Sequence, residues 1–286
     1  MSELNEGAER SRLLRVLGSV SASTTTLAAL MFYFGRQHAY WFFDYFGVNF
    51  TVMGLTAQDY LVRSADGLFT PLAVVAAIGI VGLWGRRLMR RHLSSKAWRR
   101  VVRSAHWTSV ALGLLTTSLA VMALIDPVAF YAYPALPGSC LAAGVVLLTV
   151  ATRPTRRRAD MGLPEWGALF LLVSAGLFWA AIDYSASVGR QRGMDVAAAL
   201  EYMPNVTVYS KENLRIAVPG VRVDTCPADD GAHRFRYTGL KLVIESGEQR
   251  FFLPATWTPE RGTAIVLPRS DSVRLEFSAR TPPANC

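Results

Sequence analysis

The sequence is short of charge: Asp, Glu, Lys and Arg make up 18% of its 286 residues, against about 25% in an ordinary soluble domain. It is also short of metal ligands. Its four His and three Cys are scattered, with no HxxxH pair and no Cys/His cluster, so no metal site is expected. Gly-rich loops of the Walker or dinucleotide type are missing, which argues against a nucleotide cofactor, and no other cofactor is expected either. No serine stands in a nucleophile elbow. The "ADDG" of Ala228 to Gly231 lacks the further ligands and the spaced Glu of an EF-hand and reads as a turn. These absences remove the common soluble enzyme classes and leave the molecular activity open.

What the sequence does have is apolar residues, 51% of the total. Five windows approach the ~20 apolar residues that cross a bilayer as helix. They are about Val16 to Phe34, Leu68 to Trp84, about Ala105 to Ile125, Leu136 to Thr152, and Trp166 to Ile182. The first is the most polar, through "SVSASTTTLAAL". A cleaved signal peptide is its alternative reading, weakened because the aromatic "MFYFG" follows where a hydrophilic mature start belongs. The spans carry no central Asp, Glu, Lys or Arg, which argues against a proton-coupled transporter. After Tyr184 the chain reads as a soluble domain, with 13 basic and 11 acidic residues.

The net charge of +9 is unevenly placed. "GRRLMRRHLSSKAWRRVVRS", Gly85 to Ser104, holds eight basic side chains and no acidic one, and joins the second window to the third. "RPTRRRADMG", Arg153 to Gly162, joins the fourth to the fifth and adds four Arg against one Asp. The alternate connections are poorer in positive charge: Arg36 to Gly67 has two Arg and three Asp, and Asp126 to Gly138 has one Asp. Arg10, Arg12 and Arg15 precede the first window. This is the positive-inside pattern. It predicts a plasma-membrane protein with a cytoplasmic tail over 1–15, a five-span domain over 16–184, a helical linker over 185–204 and an extracytoplasmic domain over 205–286. The basic stretch then serves as an anchor to anionic headgroups, at ~1 kcal/mol per residue near the surface. A nucleic-acid grip would call for interleaved stacking aromatics or a recognisable module. Only Trp98 and Trp107 lie nearby, where interfacial Trp belongs, so no nucleic-acid partner is expected.

The outer connection over 36–67 is unusual, with eight aromatics between Tyr40 and Tyr60. Tyr40, Trp41, Phe42, Phe43, Tyr45 and Asp59 are the candidate binding residues. Aromatic rings suit the headgroup level, so the segment reads either as an interfacial lid or as a binding surface for a lipid or a partner membrane protein. "TAQD" predicts a helix start, with Thr56 as N-cap and Asp59 at the third position. A short interfacial helix, "YLVRSADGLF", would follow and kink near Pro71.

The "YFG", "YFGV" and "DYLVRSADGLFTPL" segments, with the later "YTGLKLVIESGEQRFFLPATW", resemble a family of actinobacterial multi-pass membrane proteins with a C-terminal extracytoplasmic β-domain. The resemblance covers most of the chain. It implies that architecture and a bacterial plasma membrane, and it carries no functional residues.

Beyond Pro204 the pattern changes to short β-branched and aromatic runs between turn residues: "VTVYS", "LRIAV", "RFRYTGLKLVIES", "QRFFLPATW", "TAIVLP" and "SVRLEFS". "ESGEQ" reads as a hairpin turn. These predict a small antiparallel sheet or open barrel with one face buried. The expected fold class is therefore an α-helical membrane bundle of five spans plus a small, mainly antiparallel β-domain. Cys140 in the fourth window reads as a packed apolar residue. Cys226 and Cys286 both fall in the domain expected outside, where a disulfide persists; a reactive pair or two free thiols is the competing reading.

The preferred functional reading is an integral plasma-membrane protein that presents its β-domain as a binding, sensing or assembly module. The expected partners are membrane lipids, another membrane or envelope protein, and a second copy of the chain. An outer-face enzyme using His38, Asp44, Asp59, Asp126 and Asp183 on lipid or cell-envelope material is one alternative. A subunit of an oligomeric channel or transporter is the other.

Overall fold

The computed structural model describes residues 24–25, 27–92, 94–130, 132–152, 162–226 and 233–279. The expected cytoplasmic tail, the first half of the first window, the Arg153 connection, the "ADDG" turn and Cys286 lie outside these residues. Helix α1 covers 27–45. It is followed by α2 (Ala57–His92), α3 (Ser95–Ile125), α4 (Leu136–Thr152) and α5 (Leu163–Ala199). Among the described residues three segments are long and apolar enough to cross a membrane: Phe69–His92, Arg103–Ile125 and Pro164–Tyr202. They contain the second, third and fifth windows. The fourth window is the shorter apolar helix α4, of 17 residues, or about 26 Å at 1.5 Å per residue.

The segment expected as an outer loop is largely helical. After α1 the chain turns through Gly47 and Gly54, both at positive φ, with a short 3-10 helix Phe50–Met53 between them. The predicted capping box is present. Asp59 Oδ2 accepts from both the Thr56 N–H and its hydroxyl at 2.8 Å, and Thr56 Oγ1 accepts from the Asp59 N–H at 3.3 Å. The helix that starts there is not the short interfacial one expected: α2 continues through Pro71 for 36 residues.

The chain forms two compact units. One joins the residues up to Ala65 with those from Val188 onward; the other is Asp66–Ser187. The division expected at 184/185 left the N-terminal aromatics with the helices. They fold instead with the C-terminal sheet, because their rings pack on its aromatics.

That sheet holds β1 (Asn205–Ser210), β2 (Arg222–Thr225), β3 (Phe235–Ser246), β4 (Gln249–Pro254), β5 (Ile265–Pro268) and β6 (Val273–Ser278). All pairings are antiparallel, in the order β5-β4-β3-β1-β6, with β2 pairing beside the first part of β3. Two strand expectations change. "LRIAV" is not a strand: Arg215 sits at φ 52, and the Leu214 N–H donates to the Tyr237 hydroxyl at 2.7 Å rather than to a ladder. The strand there is β2, four residues further on. The sheet also buries both faces where one was expected. Phe251 and Leu253 enter one core with Phe42, Phe43 and Phe46, while Phe252 enters the other with Leu240, Val206 and Val208. Successive strand residues point to opposite faces, so continuous burial along β4 calls for cover on both sides.

In the other unit the helices approach through small residues. A Cβ added at Gly138 would collide with the Ala180 N and the Gly176 O, and one at Gly176 would press on the Ala142 N at 2.7 Å. Helix α4 thereby meets α5 backbone to backbone. On its other contact, Gly144 lies against Thr116 and Thr117 of α3, whose hydroxyls donate to the Leu112 and Gly113 carbonyls at 2.9 and 2.8 Å. Close approach at small residues is how helices associate where lipid removes the hydrophobic drive.

Candidate functional site

The predicted binding residues sit around one aromatic core in the sheet-containing unit. Phe42 and Phe43 are buried. Phe43 and Phe46 meet the Phe251 ring edge-on at 5.4 and 5.5 Å. Tyr45 is half-buried and meets the Trp257 ring at 5.8 Å. Tyr40 is exposed and packs against Trp41 and Phe50. The Arg63 guanidinium lies over Phe42 and Phe43, at 5.6 and 5.9 Å from the ring centroids. Burial pulls the Arg63 pKa down, and neighbouring Asp59 opposes that. Such stacking stabilises a cation by about 0.5–2 kcal/mol.

Asp59 ties this helical segment to the sheet. Its Oδ2 accepts from the Ser246 hydroxyl at 2.6 Å. That bond and the Thr56 donors outweigh burial and hold its carboxyl below the ordinary 3.8. Beside it the β3–β4 hairpin comes down on the Gly54 turn: a Cβ at Gly247 would sit 2.8 Å from the Gly54 carbonyl oxygen. The buried Lys241 ammonium donates to the Met203 carbonyl beyond α5, a second tie between helix and sheet.

Two of the other acidic candidates, Asp126 and Asp183, have local structural partners. Asp126 Oδ1 accepts from the Ala129 N–H at 3.3 Å. Asp183 is hydrogen-bonded by the Ala135 backbone and the Trp179 side chain. His38 is buried in α1, and Gly189 packs directly on its carbonyl. Among the described residues no three His, Cys, Asp or Glu side chains group as a metal site.

The chemistry that was not foreseen lies at Trp257, on the loop after β4. A groove of about 650 Å³ opens between this loop and the Val218–Pro219 segment. The loop is stapled by the Trp257 N–H to the Pro254 carbonyl at 3.0 Å and the Gly262 N–H to the Thr258 carbonyl at 2.7 Å. Thr256 Oγ1 donates across the groove to the Pro219 carbonyl at 3.3 Å. Glu260 and Arg261 are exposed on its rim. Trp257 itself is only 8% exposed, held from within by Phe46 at 5.0 Å. Its indole N–H is buried and has no hydrogen-bond partner among the described residues. A Cβ at Gly262 would strike that nitrogen, so only glycine permits the close packing there. An unmet buried donor costs about 1–3 kcal/mol, and such a group calls for an explanation. The lining offers hydroxyls, one carboxylate and one guanidinium, with no His or Cys and no nucleophile–base pair. These groups can form hydrogen bonds and ion pairs with a polar ligand. The sequence signal available is the Trp inside "PATWTPERGT", a run of turn residues; by composition alone it reads as the end of a strand.

Compared with known proteins, the chain matches no family model, no curated protein and no solved structure. The site is therefore read from its own geometry.

Proposed function

We propose that the protein is a five-span plasma-membrane protein of the actinobacterial type it resembles, holding the sheet-containing unit outside the cell as a binding or sensing module. Three candidate spans and the sorting of basic connections support the topology. The observation that carries the binding role is the groove at Trp257, walled by a loop fixed by its own hydrogen bonds. A ligand or partner seated there meets the threonines of the lining, and the Glu260–Arg261 rim selects by charge. The sheet is clamped to the start of α2 through Asp59 and Ser246, and α2 is one continuous helix to His92.

Cys226 ends β2, with its N–H donating to the Arg234 carbonyl at 2.9 Å. The proposal includes its disulfide with Cys286, worth about 4 kcal/mol by loop closure. Mass spectrometry of unreduced protein should recover the linked peptide; two free thiols would remove this element.

The test of function has two arms. Reporter fusions after Gly162 and Gly193 should read cytoplasm and outside, respectively. A photo-crosslinking residue at Thr258 should capture a partner in native membranes, and Trp257→Phe should abolish that adduct while leaving the protein folded. An adduct unaffected by Trp257→Phe would show that the groove is not the binding site.

A further inference from the structure

Helix α3 carries a second site of different chemistry. Arg100, Arg103, Ser104 and Trp107, with Val101, line a surface hollow of about 470 Å³. Their spacing of three, four and seven residues puts them on one helix face. From Arg100 to Trp107 is about 10 Å along the axis. The hollow straddles the start of the candidate span, which begins at Arg103. Its cations lack a counter-charge among the described residues. The sequence has no Asp or Glu between Asp66 and Asp126, and among the described residues neither Arg100 nor Arg103 makes an ion pair. Ser104 donates its hydroxyl to the Val101 carbonyl at 3.0 Å, which leaves its oxygen lone pairs and the two guanidinium forks facing outward. Trp107 is 68% exposed, one turn deeper into the apolar segment.

We propose that this face binds the phosphate of an anionic phospholipid, with Arg100 and Arg103 on the phosphate oxygens and the Trp107 ring at the level of the acyl-chain esters. Two guanidinium groups without a paired carboxylate are suited to an anion. Guanidinium groups recognise phosphate through paired donors, which a lysine cannot reproduce. A large exposed indole beside them requires an apolar neighbour, and Trp takes up the membrane interface for that reason. A free phosphate satisfies the first need and leaves the second unmet; one phospholipid satisfies both. The inference rests on the membrane reading proposed above and not on the side of the membrane assigned to it.

The test uses the full-length protein in detergent micelles, titrated with phosphatidylglycerol or phosphatidylcholine and read by native mass spectrometry as retained lipid. Wild type should retain phosphatidylglycerol in preference. Arg100→Gln with Arg103→Gln should weaken that retention about thirtyfold, at ~1 kcal/mol per residue. Arg100→Lys with Arg103→Lys should recover only part of it. Arg86→Gln with Arg87→Gln, near the end of α2, should change it less than about threefold, since neither residue lines the hollow. Trp107→Leu should weaken binding of both lipids, and it tests the same site if the double Arg variant is not recovered. Equal loss from both Arg pairs, or no preference for phosphatidylglycerol, would overturn the proposal. Full displacement by millimolar inorganic phosphate would identify free phosphate as the ligand instead. An outside reading from a reporter after Ser94 would overturn the topology while leaving this site standing.

Discussion

The two units bury apolar surface in different ways. In the sheet-containing unit Phe43, Phe251 and Phe252 are fully buried, and large rings fill the space between helix and strand. In the other unit the contacts fall to Gly113, Gly138, Gly144 and Gly176, while large side chains face outward, Ile78 at 67% and Val81 at 70% exposure. Water drives the first arrangement, since each large apolar side chain buried gains about 1.5–3 kcal/mol. The second gains little from burial in that way, and suits a surround as apolar as the side chains themselves, where close backbone packing decides association. The contrast therefore supports the proposed assignment of solvents: water around the sheet, lipid around α2 to α5.

The sharpest way to break the comparison is Phe251→Ala. Removing this ring should cost the sheet-containing unit about 3–5 kcal/mol. Denaturant titration should show its near-ultraviolet aromatic signal lost early, with the helical signal of the other unit retained. Joint unfolding of both would show that the units are not energetically separate. Gly138→Val should come next, at about 1–3 kcal/mol for forced overpacking. Loss of the helical signal should then shift to lower denaturant, with the aromatic signal unchanged.

Asp59→Asn and Ser246→Ala should each destabilise the sheet-containing unit by about 1–2 kcal/mol. The pH signature has a definite sign. Because the folded pKa of Asp59 lies below the ordinary 3.8, its contribution is fully present above that value and is lost as pH falls through the depressed folded value. Asp59→Asn should remove that acid-limb dependence, and an unchanged acid limb would count against the hydrogen bond. Trp257→Phe should have the smallest effect on stability, about 1 kcal/mol, because loss of an unmet donor offsets part of the cavity left by the smaller ring. A loss as large as that of Phe251→Ala would mean that the indole is a main support of this core.

Local patterns were legible where local physics decides. The Thr56–Asp59 capping box follows from four consecutive residues, and the "ESGEQ" hairpin turn follows from a glycine free to take positive φ at Gly247. The failures have specific causes. "LRIAV" has strand composition, yet a left-handed residue at Arg215 and a hydrogen bond from Leu214 to Tyr237 override it. The aromatic run from Tyr40 to Phe50 showed that a large apolar surface needed cover, but not what covered it. Phe251 and Trp257 lie some two hundred residues away, and nothing in their spacing points back to the run.

By itself the sequence determined three of the stretches apolar enough to be spans, which connections carry the positive charge, and where helix gives way to strand. Each of these depends on composition or on a short repeat. Tertiary structure alone decided that the aromatic segment folds with the sheet, that the sheet is covered on both faces, and that one indole N–H beside a groove is left without a partner. These are contacts between residues far apart in the chain, and they arise from shape and packing, which no local period encodes.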